Sequence, residues 1–166
     1  INFDNLSRSY RFNPLKNVSD KTVLMQLMED MLLSMQAKDA KQDEWFAGGL
    51  GILRGVAYRL YDEFKEYCTI PHILTLIMNS SQDSLTRFLE QNTISEMMAG
   101  AFLKAKGSEK TQASYISTLS NQIATMATDE NIAWVLSGND FDFNLIDPEH
   151  PKMFAVSNNF SKITRS

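Results

Sequence analysis

The chain has 166 residues, 43% of them hydrophobic and 22% charged, which is the size and make-up of one globular domain with appendages. Sixteen basic against twenty acidic residues leave a net charge of −4, which disfavours broad, sequence-independent binding to nucleic acid while leaving room for a local basic patch. The single cysteine, Cys68, excludes an internal disulfide and fits a reducing compartment, and no run of eighteen apolar residues is present to span a membrane.

Residues 1–18, INFDNLSRSYRFNPLKNV, show no helical period. Pro14 holds Asn13 extended or in a turn, so this stretch reads as a lead-in that lies on something. Ser19 or Asp20 then caps a helix reaching about Gln36, with Leu24, Leu27, Met28, Met31, Leu32 and Met35 at helical spacing. Glu29 and Asp30 fall outside that stripe. The polar QAKDAKQD (36–43) either extends the helix or forms the turn after it, and Asp43 caps the next one.

Trp45–Phe64, WFAGGLGILRGVAYRLYDEF, is the longest apolar stretch with helical spacing, running on to about Tyr67. Phe46, Leu50, Leu53, Val56, Ala57, Leu60 and Phe64 share one face, as expected of a central helix that others pack against. Its four glycines weaken it by about 1 kcal/mol each relative to alanine. Gly48 and Gly49 suggest a kink; Gly51 and Gly55, four apart, would let a neighbouring backbone come close. GGLGILRG lacks the GK[ST] ending and the strand–loop placement of a phosphate loop.

Thr69 caps a short helix with Pro71 in its first turn and Ile70, Ile73, Leu74 and Ile77 on its apolar side. A further helix over Gln82–Gln91 buries Leu85, Phe88 and Leu89. Thr93 and Glu96 form a capping-box pattern ahead of Met97, Met98, Ala101, Phe102 and Leu103, with a stop at Gly107. Glu109–Ala127 is a second long helix with Tyr115, Ile116, Leu119, Ile123, Ala124 and Met126 buried, and Asp129 starts a last short one ended by Gly138. The fold class is therefore all-α, a compact bundle of about seven helices over residues 19–138.

Beyond it, NDFDFNLIDPEHP is acidic and turn-rich, and KMFAVSNN reads as a strand buried on both sides, with no partner sheet in this sequence. The start at Ile1 and the end in KITRS match a piece cut from a longer protein.

Chemistry-bearing patterns are sparse. His72 and His150 have no companions at metal-site spacing, and Cys68 has no neighbouring base. The Asp62–Glu63–Glu66 cluster, with Lys65 among it, reads as a solvated helix face. Asp140, Asp142, Asp147 and Glu149 suit a solvated linker or a contact with a basic partner. Arg8, Arg11 and Lys16, interleaved with Tyr10 and Phe12, and the Lys104, Lys106 and Lys110 group around Gly107 are the candidate contacts for DNA or a protein partner.

SRSYRFNPL (Ser7–Leu15), a helical insert, and WVLSGNDFDFNLIDPEHPKMFAVSNN (Trp134–Asn159) occur in this order, and the whole resembles the TraG/TraD-like coupling proteins of conjugation and type IV secretion. The resemblance implies that residues 1–18 leave, and residues 139–166 return to, an α/β ATPase domain. It implies a hexameric, membrane-anchored parent using ATP and Mg, with the all-α domain on the cytoplasmic side of the bacterial inner membrane. There it would recognise relaxase and relaxosome proteins or other secretion substrates, or touch single-stranded DNA. None of the family's catalytic residues has a match here, so no catalytic, cofactor or metal site is carried over, and the isolated piece is expected to be a monomer or weak oligomer without ATPase activity. An unrelated helical interaction adaptor is the remaining alternative.

Overall fold

Short polar side chains set most of the helix starts. In the computed structural model, which describes residues 9–36 and 42–140, eight α-helices follow one another: α1 (Lys21–Ser34), α2 (Glu44–Phe64), α3 (Ile70–Asn79), α4 (Gln82–Glu90), α5 (Thr93–Met98), α6 (Gly100–Lys104), α7 (Glu109–Thr128) and α8 (Glu130–Leu136). Asp20 caps α1, accepting from the amides of Thr22 and Val23 at 2.7 and 3.1 Å. Asp43, Thr69, Ser81, Ser108 and Asp129 cap α2, α3, α4, α7 and α8 in the same way. Each side-chain oxygen satisfies an amide that the first helical turn leaves without a partner.

The capping box expected at Thr93 is displaced by one residue. Asn92 is the cap, its Oδ1 accepting from Ile94 and Ser95 at 3.1 Å each, and Thr93 is the first helical residue. The single helix expected from Thr93 to Gly107 is two helices and a 3-10 turn (Ala105–Gly107). The break falls at Ala99, just before Gly100, where a residue without a Cβ holds helical geometry poorly. Of the apolar residues that follow the cap, Phe102 is buried and Met97 is 76% exposed.

Helix α2 is the core. Phe46, Leu50, Leu53, Val56, Ala57 and Leu60 are buried as their spacing predicts, and so are Ile52 and Tyr58 off that stripe. The helix therefore buries more than one face, because α1, α3, α4, α5, α6 and α7 all pack against it. Burying a side chain of the Leu, Ile or Val class is worth about 1.5–3 kcal/mol, so α2 supplies much of the hydrophobic driving force.

Its glycines serve packing and not bending, since α2 runs unbroken through Gly48 and Gly49. Gly48 lies against the Tyr115 ring of α7, and a Cβ at Gly49 would sit 3.3 Å from Leu119 Cβ. On another face, Cβ atoms at Gly51 and Gly55 would lie 2.6 Å from the Met98 carbonyl and 2.9 Å from the Ser95 carbonyl. The backbone of α5 thus crosses directly over this pair, and Ser95 Oγ donates to the Gly55 carbonyl at 2.8 Å.

The helix ends earlier than its pattern suggests. Phe64, expected in the stripe, is half exposed; the last regular residue is followed by a 3-10 turn, Lys65–Tyr67. Lys65 adopts φ 48°, the one positive φ at a non-glycine among the described residues, which reverses the chain and throws Phe64 and Tyr67 outward. Residues 1–8, 37–41 and 141–166, and with them the expected strand at 153–156, lie outside the described residues.

Substitution separates the two kinds of glycine. Gly51→Ala gains about 1 kcal/mol of helix propensity but drives a Cβ into the Met98 carbonyl, at a cost of about 1–3 kcal/mol or more, so a net loss of stability is expected. Gly100, whose Cβ would meet nothing within 4 Å, should accept alanine with no loss. Urea unfolding of both variants checks this, and a Gly51→Ala protein more stable than the parent would contradict the close crossing.

Candidate functional site

The ends of the described chain meet. The amide of Phe12 donates to the Val135 carbonyl at 2.7 Å, and that of Asp140 to the Arg11 carbonyl at 3.1 Å. Arg11 closes the junction: its Nη2 lies 2.8 Å from Asp140 Oδ1, its Nε 3.1 Å from the same oxygen, and its own amide 2.8 Å from Oδ2. The guanidinium also stands 5.6 Å from the Trp134 ring centroid. A carboxylate held by a fork of donors favours its ionised form, so Asp140 sits below the usual carboxylate range, mainly through the Arg11 side chain and then through the Arg11 amide. The same hydrogen bonds raise the Arg11 pKa. Both side chains keep solvent contact, which limits what the ion pair adds to stability.

Asn13 anchors this junction to α2. It is buried, and its Nδ2 donates to the carbonyls of Cys68 at 2.8 Å and Glu66 at 3.4 Å, while Oδ1 accepts from Leu15 at 3.1 Å. Its amide donates to Asn139 Oδ1 at 3.1 Å. One side chain therefore ties the entering segment to the turn after α2, while its backbone holds the leaving segment. Tyr61 adds a second tie, donating its hydroxyl to the Val18 carbonyl at 3.0 Å.

The basic residues singled out in the sequence do not form one patch. Arg8 lies outside the described residues. Arg11 is engaged as described. Lys104 and Lys106 close α6 and its 3-10 turn, and Lys110 is in the first turn of α7. Lys106 pairs with Glu90 at 2.8 Å; Lys104 and Lys110 are exposed and have no ion pair among the described residues. Arg11 lies at the end of α8, against Gly138 and Asp140, whereas Lys110 is in the first turn of α7.

The other titratable groups behave as their spacing implies. Cys68 is buried and its thiol is pushed up to about 12 by loss of solvent, which makes it a poor nucleophile. Asp62 is lowered by its hydrogen bond to Lys65, 2.9 Å away, within an exposed acidic face. His72 is exposed at the start of α3. Among the described residues no group of three or more His, Cys, Asp or Glu could hold a metal ion, and no helix is long and apolar enough to cross a membrane.

A feature that the sequence pattern does not reveal is the relief around Tyr67. Three neighbouring hollows of about 530, 510 and 330 Å³ share this 75% exposed side chain as a wall. The middle one is mainly apolar, lined by Leu60, Phe64, Cys68, Pro71 and Leu76 with His72 and Thr75, and Asn13 and Asn139 line the smallest. Helical periodicity assigns Phe64 to the core, whereas it is 49% exposed and lines the apolar hollow.

The clasp has a pH signature. Asp140 has its pKa lowered in the folded chain, so its contribution is complete above the ordinary carboxylate pKa and is lost as pH falls through the depressed folded value. Arg11→Ala should raise the Asp140 titration toward the ordinary range, and Asp140→Asn should remove that part of the acid-side loss of stability. Carboxyl-detected NMR titration measures the shift directly; an Asp140 midpoint unchanged by Arg11→Ala would contradict the clasp.

No curated protein and no solved structure matches this chain. A family model described as type IV secretory system, conjugative DNA transfer, matches residues 1–158, nearly the whole length, and agrees with what SRSYRFNPL and the segment after Trp134 suggest. The chain belongs to the type IV secretory system conjugative DNA transfer family.

Proposed function

We propose that the helical body, residues 19–138, is the substrate- and relaxosome-recognition domain of a coupling protein of the TraG/TraD kind, with residues 1–18 and 139–166 leading from and back to an ATPase domain. The observation that carries this reading is the clasp at Arg11 and Asp140 in a chain whose family match covers residues 1–158. A domain inserted into another must receive and return its chain at neighbouring points, and the pairing of Phe12 with Val135 and of Arg11 with Asp140 supports that reading.

ATP and Mg belong to the nucleotide-binding part of such a parent. The described residues do not fit them: the glycines of GGLGILRG lie within α2, and Gly48, Gly49, Gly51 and Gly55 are each filled by a neighbouring helix. They offer no loop of free amides to a phosphate. On the same reading the parent is a membrane-anchored hexamer at the inner membrane, and this domain works on its cytoplasmic side.

Protein recognition is favoured over direct contact with single-stranded DNA. The net charge is −4, and several cations are already committed: Arg11 to Asp140, Arg54 to Glu29, Lys65 to Asp62 and Lys106 to Glu90. A phosphate backbone would have to compete with each of these carboxylates. The second reading rests on Lys104 and Lys110, exposed on either side of the Ala105–Gly107 turn.

Two binding measurements decide between them. Fluorescence anisotropy with labelled single-stranded DNA at low salt is expected to show no binding, whereas a relaxase–DNA complex, titrated through a label on the relaxase, is expected to bind. Steeply salt-dependent DNA binding that is lost in Lys104→Glu/Lys110→Glu would overturn protein recognition in favour of the DNA reading.

A further inference from the structure

The turn that ends α2 is strained. Lys65 stands at φ 48° and ψ −121°, the conformation that glycine supplies at the first central position of a type II′ turn. For a residue with a Cβ this region is unfavourable, and it persists only where the surroundings over-determine it. The contacts of Lys65 itself are slight. Its Nζ reaches Asp62 Oδ1 at 2.9 Å between two exposed side chains, and its carbonyl accepts from the Cys68 amide at 3.0 Å. An exposed ion pair of this kind adds little.

The restraint comes from two other places. Burial of Cys68 and Ile70 and the start of α3 after Thr69 require the chain to turn here. They do not dictate which form the turn takes. Asn13, 3% exposed, supplies the second restraint: its Nδ2 receives the Cys68 carbonyl at 2.8 Å and the Glu66 carbonyl at 3.4 Å. Both carbonyls meet one amide nitrogen, which fixes the backbone on either side of Tyr67.

We propose that the Lys65 turn is a conformational latch: Asn13 selects its strained form, and the turn relaxes when the segment before Pro14 withdraws. Leu15, fully buried, is the pivot, and Asn13 lies two residues ahead of it with its Oδ1 on the Leu15 amide. The turn also sets Phe64 and Tyr67, which wall the apolar hollow. Docking of the entering segment is thereby coupled to the shape of that hollow. The coupling is reciprocal: strain in the turn weakens the hold of Asn13, and the hold of Asn13 sustains the strain. The latch does not depend on what the helical body recognises.

Paired substitutions at Lys65 in the full chain test this. Lys65→Gly and Lys65→Ala both remove the ammonium and its contact with Asp62, but only glycine relieves the backbone. At an unstrained position alanine is the more stable of the two, because glycine loses more freedom on folding. Here the order is expected to reverse, with a folding equilibrium constant for Lys65→Gly about tenfold above that for Lys65→Ala in urea unfolding. A Lys65→Ala protein as stable as Lys65→Gly, or more so, would overturn the proposal. Native-state hydrogen exchange then reads the coupling at the Phe12 and Asn13 amides, which donate to the Val135 carbonyl and to Asn139 Oδ1. Exchange there is expected to be several-fold slower in Lys65→Gly than in Lys65→Ala. Equal rates in the two variants would leave a strained turn with no link to the entering segment, and would overturn the latch.

Discussion

The structure depends on one constraint: a 21-residue helix is buried on several sides at once, and its backbone must come close to its neighbours for that to be possible. The glycines meet it. Two face α7 and two face α5, and the small surface they leave lets Ser95 Oγ reach the Gly55 carbonyl. The same constraint governs the two arginines. Arg54 donates to the Met25 carbonyl and pairs with Glu29 at 2.6 Å, fixing α1 to α2. Arg59 stacks 4.0 Å from the Phe88 ring centroid and donates to the Phe88 carbonyl and to Gln91 Oε1, capping the end of α4, where carbonyls lack helical partners. The charges on the core helix are thus joints to its neighbours.

The far end of α2 carries the consequences for function. The reversal at Lys65 turns the Glu66 and Cys68 carbonyls toward Asn13, and Asn13 fixes the entering segment where the leaving segment pairs with it. The segment before α1 and the residues after α8 therefore share an anchor at the end of α2. Lys104, Lys110 and the Met97 side chain are exposed.

Much of this fold was legible in the sequence. The spacings of Leu24, Met28 and Leu32, and of Leu53, Val56 and Leu60, encode buried faces directly, and Asp43, Thr69 and Asp129 mark their helix starts by local chemistry. What escaped was non-local or competitive. Asn92 and Thr93 are both good caps, and nothing in their order shows which one aims its oxygen at the next turn. The Arg11–Asp140 pair spans 129 positions, so Arg11 read as a free cation and Asp140 as part of an acidic linker. The glycines were correctly tied to close approach at 51 and 55 but not at 48 and 49, because only the tertiary structure places Tyr115 and Leu119 against them. The relief around Tyr67 was not legible, because it is made by where α2 ends and not by any motif.

The most direct test is a distance between the two connections in solution. Nitroxide labels at Ser9→Cys and Ser137→Cys, in a Cys68→Ala background, report it by pulsed electron resonance. The structure predicts one short, narrow distribution close to the limit set by the label tethers, since Phe12 and Val135 are hydrogen-bonded at 2.7 Å. A broad distribution, or one approaching the roughly 30 Å length of α7, would contradict a helical body whose entry and exit are clasped at the end of its central helix.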